Sequence, residues 1–64
     1  MIIELKNKPW NTYKVLTHEE KYIKLRCQSF VRNEDLGDGI LCTKQGQTIW
    51  IASYFWPKFQ PALF

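Results

Sequence analysis

The sequence predicts a mainly β domain, a small five-stranded, partly closed antiparallel barrel. Three observations carry that expectation. The stretch KYIKLRCQSFVR, residues 21–32, alternates apolar and polar side chains at the period of a strand. Turn-forming residues punctuate the chain at Asn7-Lys8-Pro9, His18-Glu19-Glu20, residues 33–39 and Gln45-Gly46. A length of 64 residues leaves no room for a covering helix. Five short strands are then most economically closed on themselves, which leaves few free edges.

The first strand falls in residues 1–6, where Ile2, Ile3 and Leu5 supply apolar contacts. Asn7-Lys8-Pro9 ends it, because proline cannot donate to a ladder. A hairpin follows. With His18-Glu19-Glu20 as a three-residue loop, Thr17 faces Lys21, Val15 pairs with Ile23, and Tyr13 pairs with Leu25. Lys14 then stands opposite Lys24, and like charges directly across a ladder are unfavourable. Two lysines tolerated there are either splayed into solvent or await an anion.

At period two, Ile23, Leu25, Cys27 and Val31 face the core, with Ser29 the polar exception. Tyr22, Lys24, Arg26, Gln28, Phe30 and Arg32 face outward. The alternative is an α+β domain with a helix at about 18–32 packed on a small antiparallel sheet. Thr17 and Glu20 form a capping box for that helix, and paired acids suit its first turn. Its apolar residues, however, spread over more than half of a helical wheel, wider than a core-facing stripe. The strand reading is preferred.

Residues 33–39 carry Asx residues, two glycines and an Asp-Gly step, and are expected to be a turn region. A second hairpin is expected over 40–51, turning at Gln45-Gly46. Cys42 then pairs with Ile49, Ile40 with Ile51, Thr43 with Thr48 and Leu41 with Trp50. Ile49, Ile51 and Phe55 continue the inner face, and Trp50, Tyr54 and Trp56 the outer one. Pro57 and Pro61 are expected to stop regular pairing. The chain reads as one domain, 1–64, with 57–64 an apolar C-terminal tail. That tail either plugs the end of the core or docks on a partner or a second copy.

A domain of this size buries about 60% of its extended-chain surface and needs a well-packed core. Ten aromatic residues supply large buried areas. No apolar run approaches the ~20 residues of a membrane-spanning helix, and no charged-then-apolar leader opens the sequence. A cytoplasmic setting is therefore expected, with no membrane partner. In that setting Cys27 and Cys42 are expected to be free, buried thiols, although one disulfide between them is the most that two cysteines allow.

Catalysis is not expected. His18 is the single histidine and lies in an acidic turn, where a solvated side chain is the ordinary outcome. Both cysteines fall on the inner face, and apolar burial raises a thiol pKa and makes it inert. They stand fifteen residues apart, without zinc-site spacing. Glu34, Asp35 and Asp38 lack the ligand spacing of a calcium loop. No glycine-rich phosphate loop occurs. No cofactor and no metal are expected.

What remains is the outer face. The net charge is +3, a mild excess whose placement matters more than its size. Lys14, Lys24, Arg26 and Arg32 are candidate phosphate contacts, and Tyr22, Phe30, Trp50 and Tyr54 are candidate stacking surfaces. Small barrels of the oligonucleotide-binding and cold-shock type combine such groups on one face, although their signature runs are absent here. Single-stranded nucleic acid is the expected partner. The rival expectation is a small accessory or phage-type regulator or inhibitor. It would dock on a larger protein through its aromatic surface and tail, or form a homodimer through the tail.

Overall fold

A computed structural model describes residues 1–62; Leu63 and Phe64, the last two residues of the expected tail, lie outside them. The fold is mainly β, as the sequence predicts. Strands β1 (Ile2–Leu5), β2 (Lys8–His18), β3 (Tyr22–Ser29), β4 (Glu34–Asp35), β5 (Leu41–Cys42), β6 (Thr48–Ala52) and β7 (Phe59–Pro61) follow in order, with a 3-10 segment, Ser53–Lys58, between β6 and β7. Five of them form one antiparallel sheet in the order β6-β3-β2-β1-β7, and β4 and β5 form a two-stranded ladder of their own. Among the described residues β6 and β7 are not hydrogen-bonded to each other. The 3-10 segment bridges these two edges.

The segment 21–32 is strand rather than helix, ending at Ser29. Its inner side chains Ile23, Leu25 and Cys27 are buried as alternation requires. The register of the β2–β3 hairpin differs from the expected one. Four residues separate the closing pair His18↔Ile23, and a bulge follows between Val15 and Thr17. Val15 therefore meets Leu25 rather than Ile23, Tyr13 meets Cys27, and Lys14 meets Arg26 rather than Lys24. The slip is two residues beyond the bulge. That even slip leaves Tyr13, Lys14 and Val15 on their expected faces, and a second register shift, between Thr12 and Tyr13, turns the earlier part of β2 over so that Thr12 lies opposite Ser29.

The expected 40–51 hairpin does not form. Gly46, at φ 87°, does turn the chain, but β5 pairs with β4 (Glu34↔Cys42, Asp35↔Leu41) and β6 pairs with β3. Ile51 lies across from Ile23 and Ile49 across from Leu25. This arrangement puts two buried isoleucines against two buried β3 residues, more apolar contact than Cys42 and Ile40 would offer. The returning loop is held by the Cys27 backbone, which donates to Gln47 and accepts from Gly46, both at 2.8 Å.

Cys27 and Cys42 are joined by a disulfide, with a Cα–Cα distance of 6.5 Å, not free thiols. Their burial was legible, but their pairing depends on β5 lying against β3, a proximity that the expected hairpin had no reason to create. Residues 33–39 also differ from a pure turn. They contain β4, and Leu36 is buried in the core.

The C-terminal part continues the sheet. Pro57 sits inside the 3-10 segment, and β7 then pairs with β1 (Leu5↔Phe59, Glu4↔Gln60, Ile3↔Pro61). The prolines thus do not end pairing. Pro61 is tolerated because β7 is an edge strand. Phe59 is buried and meets Tyr13 edge-on, with ring centroids 6.1 Å apart. Val31, expected inside, is 69% exposed. β3 has ended by then, and the Asn11 amide oxygen holds the Val31 backbone N–H at 2.7 Å in an outward turn.

Candidate functional site

Strands β2, β3 and β6 present one outer surface. Lys14, Arg26 and Thr48 form one cross-strand row, and Thr17, Lys24 and Trp50 the next. Tyr22 lies beyond them, opposite Ala52. Period-two geometry sends all of these side chains away from Ile23, Leu25 and Ile49. Tyr22 meets Trp50 edge-on with centroids 6.4 Å apart, and the Lys24 ammonium stands 5.4 Å from the Trp50 ring centre. Trp50 is 46% exposed and Tyr22 54%. Such large aromatic exposure in so small a domain leaves two ring systems open beside three cations.

Those cations have no acidic partner among the described residues. The one ion pair there joins Lys8 and Glu34 at 3.0 Å, elsewhere on the molecule. Lys14 and Arg26 stand directly opposite with nothing between them to offset their repulsion. A diffuse anion laid across β2 and β3 would relieve that repulsion.

Three of the eight expected residues are placed elsewhere. Phe30 follows the end of β3 and packs partly buried against the core. Tyr54 lies on the 3-10 segment and is 67% exposed. Its hydroxyl donates to Asp38 at 2.7 Å, a bond that, with the carboxylate's charge, raises the phenol pKa. Arg32 lies in the loop after β3 with its guanidinium 3.6 Å from the Trp10 ring centre. The structure thus brings together Lys14, Tyr22, Lys24, Arg26 and Trp50, and separates Phe30, Arg32 and Tyr54 from them.

The cluster around Trp10 was not anticipated. The Trp10 indole N–H donates to Glu34 at 2.6 Å, and Lys8 pairs with the other oxygen of that carboxylate. Desolvation raises the Glu34 pKa, but these two bonds, with the charges of Lys8 and Arg32, outweigh it and the net shift is downward. Asn11, fully buried beside it, accepts from Val31 and donates to the Arg32 carbonyl, so the backbone that carries Arg32 is fixed. Nothing in the strand pattern signals this group, because its members come from β2, β4 and the intervening loop.

A shallow apolar cavity of about 240 Å³ opens at the β1–β7 edge, lined by Met1, Ile3, Trp56, Phe59, Gln60 and Pro61. His18 packs on Trp56 with ring centroids 4.5 Å apart. No group of three or more metal-ligating side chains occurs among the described residues, and no helix among them is long and apolar enough to cross a membrane. Comparison with protein-family models, curated proteins and solved structures finds no match to this chain.

Proposed function

We propose that this protein is a non-enzymatic binding module that holds single-stranded nucleic acid on the outer surface of β2, β3 and β6. The observation that carries the reading is the unpaired Lys14–Arg26 row lying next to Lys24 and the exposed rings of Trp50 and Tyr22. Lys14, Lys24 and Arg26 supply phosphate contacts, and the rings supply flat faces for unpaired bases. A cytoplasmic setting goes with this reading. Thiols are kept reduced in that compartment, so the fold would have to hold there without the Cys27–Cys42 bond.

The test is a titration with a mixed-sequence single-stranded oligonucleotide, followed by tryptophan fluorescence at low and moderate salt. Saturable quenching that weakens steeply with salt is the expected result. The double variant Lys24→Ala/Arg26→Ala should bind all sequences more weakly and with a shallower salt slope. Trp50→Ala should lower affinity about 5- to 150-fold and leave the slope alone. Absence of any binding by folded protein at low salt would sink the reading.

One observation favours the rival, a regulator or inhibitor of a larger protein. The β1–β7 cavity is apolar and rimmed by Trp56 and Pro61, chemistry suited to a protein side chain. A homodimer through the tail would use the same edge, where its described residues Phe59, Gln60 and Pro61 lie. Binding there would respond weakly to salt and would survive the Lys24→Ala/Arg26→Ala change.

A further inference from the structure

We infer that β6 is a self-association edge, through which two copies of this chain join antiparallel about a two-fold axis at Trp50 into one continuous sheet. The inference stands apart from the nucleic-acid reading and is tested without a ligand.

The backbone register fixes which groups are free. The Cys27 N–H donates to the Gln47 carbonyl at 2.8 Å, and the Ser53 N–H to the Lys21 carbonyl at 2.9 Å. Both pairs are in phase with Leu25↔Ile49 and Ile23↔Ile51, so Ile49 and Ile51 exchange hydrogen bonds with β3. Thr48, Trp50 and Ala52 alternate with them and point their N–H groups away from β3. Strand β6 ends the sheet, and among the described residues no other backbone bonds Thr48 or Trp50 on that side. Thr48 is exposed, and Trp50 is 46% exposed. The chain on either side stays with β3. Gly46 is bonded to Cys27, Gln45 to the Gln28 carbonyl, and Ser53 to Lys21.

Sheet edges are ordinarily protected by charge, proline, a bulge or shortness. The opposite edge, β7, has three residues and carries Pro61. In contrast β6 has five residues, TIWIA, with no charge, no proline and no shift in its register. An uncharged strand gives a charged peptide nothing to recognise, but it matches itself. About the axis, Trp50 meets Trp50 of the second copy as a hydrogen-bonded pair. Thr48 meets Ala52, whose N–H donates to the Thr48 carbonyl, and Ile49 meets Ile51. The isoleucines extend the buried faces of both copies, while the Trp50 rings stand perpendicular to the sheet and clear of the pairing.

Charge permits this contact. Lys24 lies one strand back from the edge, opposite Trp50. Across the axis the two Lys24 backbones stand three strand spacings apart, about 14 Å, beyond the ~8 Å screening length of physiological salt. A single strand pair buries less than the roughly 800 Å² per partner of a stable complex, so the dimer is weak and concentration-dependent. It continues the Thr17–Lys24–Trp50 row into the same row of the second copy, doubling the outer surface.

The experiment follows mass by sedimentation and amide exchange by NMR from about 10 µM to about 1 mM at physiological salt. Wild type should move toward twice the monomer mass. The Thr48, Trp50 and Ala52 amides should slow as concentration rises, whereas Ile49 and Ile51 should be slow throughout. Trp50→Lys and Trp50→Glu each place like charges together on the axis and should weaken association about ten-fold or more. Mixing the two variants should restore it, and slow Ile49 and Ile51 amides verify that both are folded. Thr48 and Trp50 amides that stay fast at the highest concentration overturn the inference. Amides already slow at the lowest, with monomer mass, show that the chain covers its own edge and overturn it too. A dimer indifferent to both charges, or not restored by mixing, forms elsewhere and likewise overturns it.

Discussion

Lys14 and Arg26 face each other directly across the β2–β3 ladder, and no carboxylate of the described residues pairs with either. Such a contact weakens a sheet. Lys14→Glu would turn the repulsion into attraction. It should raise stability by about 0.2–1 kcal/mol, read as a higher urea midpoint at unchanged slope. The same variant should bind single-stranded oligonucleotide more weakly than wild type at low salt. A lower midpoint would show that the pair is not repulsive.

Glu34 ties β4 to the start of β2, and its acid dependence has a definite sign. Its folded pKa lies below the ordinary 4.5, because the hydrogen bonds from Lys8 and Trp10 outweigh the desolvation that raises it. The contribution is therefore full above about pH 4.5 and is lost as pH falls through the folded value. Glu34→Gln should lower stability at pH 7, and the gap from wild type should shrink on acidification. Urea melts between pH 7 and 3 would show it. A constant gap across that range would remove Glu34 from the acid response.

Gly37 sits at φ 120° with the Phe55 ring over it, so that an added Cβ would collide with the ring. Gly37→Ala combines backbone strain with displacement of a buried aromatic, and should cost about 2–4 kcal/mol. Gly39, at φ 76°, has open space where its Cβ would go. Gly39→Ala should cost only about 1–2 kcal/mol. Thermal melts of the pair separate the two effects; equal losses would mean that Phe55 moves aside freely.

The Cys27–Cys42 bond closes a loop of 15 residues. In the chain-entropy account its reduction should cost about 3 kcal/mol at 25 °C. Denaturation with and without a dithiol reductant, alongside Cys27→Ala/Cys42→Ala, measures that difference. If reduced and oxidised forms unfold at one midpoint, the β4–β5 ladder is held by its packing alone.

Local pattern made the two central strands legible. Alternation in 21–32 placed Ile23, Leu25 and Cys27 inside and Lys24, Arg26 and Tyr22 outside, and an even register slip left those faces intact. What local pattern did not carry was the choice of partner. β6 was expected beside β5, because they are neighbours in sequence with a glycine between them. It lies instead beside β3, where Ile49 and Ile51 bury against Leu25 and Ile23. The disulfide and the burial of Leu36 are likewise non-local, and the Trp10–Arg32 stack joins β2 to the loop after β3 through residues whose spacing does not announce it. The candidate surface was accordingly half readable. Residues inside β2, β3 and β6 were placed on the right face, while Phe30, Arg32 and Tyr54, just past strand ends, were not.

The pairing of β1 with β7 has a kinetic consequence. Glu4 and Gln60, joined at 2.8 Å, are 56 positions apart in sequence, whereas β2 and β3 close across four residues. Contacts so distant form late, since the entropy of ordering the intervening chain is lost before they reward it. The β2–β3 hairpin can therefore nucleate early, while β1 keeps one neighbour missing until β7 arrives. Hydrogen exchange should then find its longest-lived amides in the middle of β3. The first native opening should be the separation of β7 from β1, which carries Trp56 and Phe59 away from Ile3 without disturbing the cationic rows on β2 and β3.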